Sequence, residues 1–302
     1  MATCLSQLYH EHKRGIRAGY AKYETFPIWN LPLSHPVNLA YEAATADLND
    51  VNMIDPYHLE AYGETTVNYN RDVEIFPVLK AIFMQIYGDC PYQSPTDMGV
   101  NMAGNCIVDD EVCRKASCQE IIRRYYHTLV NIARGKAKEE EAYKIELLMN
   151  KAGVTTKDRK VVEAALRRAE ETGHTAAALE LPDGRVITGK TSELMGACSA
   201  LLIKALKVLA DIDRDVLLIT PNVIMPIQKL KVNYLGSRNP RLHMEEVLIA
   251  LSASSESNEV ADLALRQLPH LRGSQVHTSR MLSDTDEKTF QKLGVMLTSE
   301  PR

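Results

Sequence analysis

Gly184-Arg185-Val186-Ile187-Thr188-Gly189-Lys190-Thr191-Ser192 fits the phosphate-loop pattern G-x-x-x-x-G-K-[ST] letter for letter. A phosphate loop needs small, flexible residues between its glycines, so that successive backbone N–H groups converge on a phosphate. Here the intervening residues are Arg185, Val186, Ile187 and Thr188, three of them β-branched, and such residues favour an extended strand. Upstream, residues 176–181 also read as a strand. Pro182-Asp183-Gly184 between the two is a turn in which Pro presets φ and Gly accepts positive φ. The stretch therefore predicts a β-hairpin that runs straight into a helix. That helix start, carrying Lys190, Thr191 and Ser192, would remain an anion site, because orphan N–H groups and the macrodipole favour negative charge there.

Outward from the hairpin, the C-terminal part alternates strand and helix. Residues 192–210 form a helix with Leu194, Ala197, Cys198, Leu201, Leu202, Ala205 and Leu209 on one face. A short apolar strand over 216–220 leads through Pro221-Asn222 into a helix over 223–235. Helices over 244–253 and 259–268, a strand over 275–282, a helix over 284–293 and a strand over 295–298 complete an open α/β sheet covered on both faces. Before the hairpin, residues 110–173 read as helices joined by short loops, hence antiparallel neighbours.

The first ninety residues are less regular. A helix is already under way at Met1, with Leu5, Leu8 and Tyr9 on one face, and residues 16–26 read as an extended piece. Residues 27–71 are loop-rich, with helical spacing over 37–48 and a β-branched run over 65–69. That run ends at Asn70-Arg71-Asp72, an amide, a guanidinium and a carboxylate at a strand end, where α/β proteins tend to place ligands. The competing reading is a turn with Asp72 capping the helix over 73–87. Farther on, Asp97, Asn101 and Asn105 recur every four residues, a polar stripe if helical and a carboxamide-rich turn if not. With Asp109 and Asp110 they are oxygen donors of the kind a hard cation takes, but they lack the order of a calcium loop, and no metal is expected.

The totals bound the class. The chain has 302 residues, 45% hydrophobic and 25% charged, with a formal net charge of -4, which is room for two or three ordinary domains. That charge gives no electrostatic reason to expect nucleic acid or a membrane as partner. No apolar run is long enough to span a bilayer and no signal peptide opens the chain, so a cytoplasmic location is expected. The six cysteines lack the C-x2-C pairing of structural zinc. H-E-x-x-H, G-x-S-x-G and G-x-G-x-x-G are all absent, so no reaction is identified by motif.

Several blocks together resemble one family: Met1 to Gly15, Glu24-Thr25-Phe26-Pro27-Ile28-Trp29-Asn30-Leu31-Pro32-Leu33, His35 to Leu48, Val67-Asn68-Tyr69-Asn70-Arg71-Asp72, Thr96 to Asn105, and Leu181 to Arg185. The chain is similar, from Met1 to its end, to the bacterial family named domain of unknown function eighteen-forty-six, some of whose members are labelled ATP-dependent zinc proteases. The resemblance implies that a glycine-rich Gly-Ser-Gly-Lys segment precedes the position of Met1, making this the C-terminal part of a longer protein. It also implies a C-terminal α/β three-layer sandwich of cytidine-deaminase-like topology. Deaminases hold zinc with H-x-E and P-C-x-x-C at two helix starts. Here the corresponding stretches are read as Gly189-Lys190-Thr191-Ser192 and Thr220-Pro221-Asn222, which do not support zinc deamination, and the missing H-E-x-x-H gives the protease label no physical basis.

The expected organisation is therefore the remainder of an N-terminal α/β domain over 1–90, a helical module over 91–173 and the sandwich over 174–302. The leading functional expectation is an enzyme that binds a nucleotide or another phosphorylated small molecule between the α/β parts. Lys190 is the charge partner of the phosphate, Thr191 and Ser192 are donors, Arg71 is the orienting group, and Asn70, Asp72, Asp97, Asn101 and Asn105 form accessory polar clusters. Cofactor and reaction are left open, as is homo-oligomer formation. The alternative is a non-catalytic binding or assembly module whose polar motifs are helix caps and interdomain contacts.

Overall fold

A computed structural model describes residues 2–22 and 27–302; part of the extended piece expected over 16–26 lies outside the described residues. The protein is a mixed α/β protein, and none of its described helices is long and apolar enough to cross a membrane. Two compact units emerge, one of Met1–Tyr125 with Glu139–Val154 and one of Tyr126–Lys138 with Thr155–Arg302.

The first unit holds helices α1 (Ala2–Lys13), α2 (Pro36–Ala44), α3 (Pro56–Tyr62), α4 (Asn70–Tyr87) and α6 (Glu139–Ala152), and most of α5 (Asp110–Ala133). Its strands β1 (Asn52–Ile54) and β2 (Val67–Tyr69) form a short antiparallel ladder. Leu8 of α1 packs with Phe76, Leu79 and Phe83 of α4 and Leu5 lies against the same cluster, whereas Tyr9, expected on that face, is exposed. Residues 96–105 are not a helix. Two 3-10 turns, Thr96–Met98 and Ala103–Cys106, flank Gly99, whose φ of 137° an α-helix cannot accept.

The second unit is built on a four-stranded sheet in the order β4-β3-β5-β6, from β3 (Ala176–Glu180), β4 (Val186–Lys190), β5 (Gln275–Thr278) and β6 (Met296–Ser299). The hairpin forms as the sequence predicts: β3 and β4 pair antiparallel, Ala176 with Lys190 through Glu180 with Val186, around a turn closed by Gly184 N–H donating to Leu181 O at 2.9 Å. Strand alternation gives the sheet two different faces. Ala178 meets Val161 and Ala165 of α7 (Lys160–Thr172), while Ala177 and Leu179 join the main core with Leu201, Leu202 and Ala205 of α8 (Ala197–Leu209). Beyond α8 come α9 (Pro221–Lys229), α10 (Met244–Ser255), α11 (Glu259–Leu265) and α12 (Asp284–Lys292).

Two expectations are corrected. The helix after the hairpin starts at Ala197, not at Ser192. Residues 192–195 instead close a turn in which Met195 N–H donates to Ser192 Oγ at 3.2 Å and Ser192 N–H to Met195 O at 3.0 Å. Residues 216–220 are not a strand: Leu218 and Ile219 are buried in the core, but no ladder reaches them. An apolar pentapeptide that satisfies a core need not be extended.

Gly189, the second glycine of the phosphate-loop pattern, has a packing role. A Cβ placed on it would lie 2.5 Å from Leu201 N and 2.7 Å from Ala197 O, so strand β4 and the backbone of α8 approach closely because nothing stands between them.

Candidate functional site

Because β3 runs against β4 and β5, and β5 runs with β6, the carboxyl ends of β4, β5 and β6 lie along one edge of the sheet, at Lys190, Thr278 and Ser299. The crevice outside the carboxyl ends of such strands is where open α/β sheets bind ligands. A cavity of about 260 Å³ lies there, lined among others by Thr191, Cys198, Ser199, His243, Thr278, Arg280 and Asp286. Three helix starts meet it: α8 through Cys198, α10 through His243 and α12 through Asp286.

The three starts differ. α12 is capped by Ser283, whose side chain accepts from Asp286 N–H, and at α10 the Met244 N–H donates to Asp286 Oδ1 at 3.1 Å. α8 has Gly196 at its N-cap and no side-chain cap. A helix start leaves its first N–H groups unpaired, so α8 is the start that faces the cavity with donors to spare.

His243 Nδ1 stands 3.2 Å from Asp286 Oδ2. The hydrogen bond to Asp286, working against partial burial, raises the His243 imidazolium above its ordinary value. Burial pushes the Asp286 carboxyl up, but hydrogen bonds from His243 and the Met244 amide outweigh it and hold the carboxyl below the usual aspartate range. With Nδ1 engaged, Nε2 is the nitrogen left to exchange a proton with a ligand. Cys198 is a poor nucleophile in this setting: burial first, and then the nearby Asp286 charge, push its thiol well above the ordinary range.

The pair has a pH signature. A raised histidine pKa contributes stability that is complete below the unfolded value and fades as pH rises through the folded one. A lowered aspartate pKa contributes above the unfolded value and fades as pH falls through the folded one. Asp286→Asn should therefore narrow the stability difference from the native protein as pH rises from about 5.5 towards 9, where only the His243 charge is lost. Thermal melts of both proteins across that range check it, and a difference that widens towards pH 9 would contradict the assigned pairing.

Of the residues singled out by sequence, Thr191 lines the cavity. Lys190 does not: Gly189 faces α8, so the next residue of the strand points to the other side of the sheet. Ser192 is exposed and engaged in the 192–195 turn. The remaining candidates lie in the first unit and each has a local partner. Asn70 Oδ1 accepts Val51 N–H at 3.1 Å, Arg71 pairs with Asp50 at 2.6 Å, and Asp72 pairs with Lys22 at 2.8 Å. Asp97 Oδ2 accepts Tyr62 Oη–H at 3.0 Å and Gln93 N–H at 2.8 Å, Asn101 Oδ1 accepts Ala103 N–H at 2.8 Å, and Asn105 Oδ1 accepts Asn30 Nδ2–H at 2.7 Å. Within the amide and carboxylate stripe, Asp97 and Asn101 thus close turns, while Asn105 is held by the distant Asn30.

His243, Arg280 and Asp286 were not found by sequence reasoning. A signal existed for two of them. Ser283-Asp284-Thr285-Asp286 has capping-box spacing, and His243 stands three residues before Glu246, whose carboxylate accepts the His243 N–H at 2.8 Å. Nothing in the sequence says that these two helix starts share a cavity.

Residues 1–153 match the family model described as domain of unknown function DUF1846, N-terminal, and residues 157–302 match domain of unknown function DUF1846, C-terminal. The chain thus takes in both family-model domains and is not confined to the C-terminal one. A UPF0371 protein of Corynebacterium urealyticum is 59% identical over 302 residues, and one of Streptococcus thermophilus is 58% identical over 301. Each match takes in 100% of this chain and 61% of the relative's length. Their names state no activity and lend no support to the zinc protease label.

Proposed function

The chain belongs to the DUF1846 family, and on that premise we propose that its second unit binds a small phosphorylated molecule in the cavity at the carboxyl edge of the sheet. The observation that carries the reading is the meeting, in one cavity, of an uncapped helix start, a cationic side chain and an oriented histidine. A phosphate is met by the first-turn N–H groups of α8, by the hydroxyls of Thr191 and Thr278, and by the Arg280 guanidinium, which has no hydrogen-bond partner among the described residues. His243, oriented by Asp286, is the group placed to move a proton, so phosphoryl or acyl chemistry on the bound molecule fits the site. The strand order, with the hairpin strand β3 opposed to its neighbours, and the helix starts of α8 and α12 beside the cavity support a cytidine-deaminase-like topology. The second of those starts is that of α12, after β5, and not the one at Thr220-Pro221-Asn222, which no strand precedes.

A second reading is favoured by a specific observation in the first unit, where Asn70, Arg71, Asp72, Asp97, Asn101 and Asn105 are all engaged in turns and side-chain pairs. On that reading this unit is a binding or assembly module without chemistry of its own.

A ligand that binds only the folded state raises its melting temperature by mass action. Sugar phosphates or nucleotides at about 100 times Kd should stabilise the protein by roughly 2.7 kcal/mol, and Arg280→Ala should abolish the shift while Lys190→Ala retains it. No shift with any phosphorylated compound would sink the proposal. Loss of the shift in Lys190→Ala with retention in Arg280→Ala would move the site back to the loop pattern.

A further inference from the structure

We infer that the ligand carries a second anionic group, a few bonds from its phosphate, held by Arg302 and His174 in a neighbouring compartment. This rests on the phosphate reading above and goes beyond it. A second cavity, of about 570 Å³, lies on the same edge of the sheet and is lined by Ala169, Gly173, His174, Thr175, Ser279, Arg280 and Arg302. It shares Thr175 and Arg280 with the first. The two are therefore adjacent compartments with Arg280 at their common wall.

Their charge is one-sided. The larger cavity has two arginines, a histidine and no acidic side chain among its lining residues. In the smaller one the acidic side chain, Asp286, is already taken up by His243 and the Met244 N–H. Neither Arg280 nor Arg302 donates a side-chain hydrogen bond to the protein among the described residues. The Glu300 carboxylate is near enough to Arg302 for their charges to interact, but neither guanidinium fork is taken up by a hydrogen bond, and both can turn to a planar or tetrahedral anion. A neutral sugar or base in the larger compartment would leave Arg280 without a charge partner and Arg302 with Glu300 alone, which is itself hydrogen-bonded to His277. A carboxylate or second phosphate would meet them. The geometry points to a short phosphate monoester with a second anion, such as a phosphorylated hydroxy acid, bridging the compartments across Arg280.

Titration calorimetry with two probes of matched phosphate separates this inference from the reading on which it rests. Glycerol 3-phosphate has one anionic group and 3-phosphoglycerate has two. The second should bind on the order of tenfold tighter or better, as a charge-assisted hydrogen bond to an arginine implies. In the double variant His174→Ala, Arg302→Ala that advantage should vanish while glycerol 3-phosphate binds unchanged, which also shows the variant to be folded. Arg280→Ala should weaken both probes. Equal affinities in the native protein, or an advantage that survives the double variant, would overturn the two-anion inference and leave the phosphate site standing. Failure of both probes to bind would overturn the two-anion inference, and the phosphate reading would fall with it if no sugar phosphate or nucleotide shifted the melting temperature either.

Discussion

Gly189→Ala is expected to destabilise the second unit, not to weaken a phosphate. The added methyl group would fall 2.5 Å from Leu201 N, 2.7 Å from Ala197 O and 2.8 Å from Leu201 Cα, all backbone atoms of α8 that cannot swing aside as a side-chain end can. Relief requires the helix to lift off β4. Since α8 carries Leu201, Leu202, Ala205 and Leu206 into the main core, the lift disturbs the packing of the whole unit. Overpacking of this kind costs about 1–3 kcal/mol, and more where backbone must move. In a unit of this size that lowers the melting temperature by roughly 5–10 °C. Differential scanning calorimetry reads it, with Gly196→Ala as control, where the nearest atom would be Leu242 O at 3.8 Å. Were Gly189 instead the glycine of a working phosphate loop, its substitution would reduce phosphate affinity and leave the melting temperature nearly unchanged.

The second large effect is expected at Arg159, 1% exposed at the start of α7. Its guanidinium donates to Thr298 Oγ1 at 3.0 Å, to Met296 O at 2.7 Å, to Val276 O at 3.3 Å and to Gln275, so one side chain ties β5 to β6. Arg159→Ala removes those donors and leaves a void among buried acceptors, a loss of roughly 3–5 kcal/mol. Arg159→Lys should recover less than half, because a single ammonium cannot span a fork of four acceptors. Urea titrations followed by circular dichroism measure both, and an Arg159→Ala protein within about 0.5 kcal/mol of native stability would refute the role.

The parts of this fold that were legible are those specified within a few residues. Pro182-Asp183-Gly184 between β-branched runs gives the β3–β4 hairpin, and the glycines at 15, 88, 153 and 173 end helices near where the apolar periodicity stops. What misled was chemistry that suits two contexts. Lys190-Thr191-Ser192 resembles a helix start, yet the strand holds Lys190 by alternation and Ser192 closes a turn, so the helix waits until Ala197. Asp97, Asn101 and Asn105 have helical spacing, but the conformation at Gly99 breaks the helix, leaving Asp97 and Asn101 to close separate turns and Asn105 to pair with Asn30. The candidate site was illegible for another reason. Thr191, Cys198, His243, Arg280 and Asp286 come from three separate stretches, 191–198, 243 and 280–286, and the sheet order that gathers them is a tertiary fact.

The same sheet order governs how the unit assembles in time. β3 finds β4 locally, but its other neighbour is β5, with Ala177 opposite Thr278. Closing a loop of about a hundred residues forfeits chain entropy before any contact rewards it, although each doubling of the loop adds only about 0.6 kcal/mol. The hairpin must therefore hold one open edge until the distant strand arrives, and both cavities come into being only with that last pairing. Folding of this unit should be slow for its size, and the capacity to bind should appear all at once, at the end.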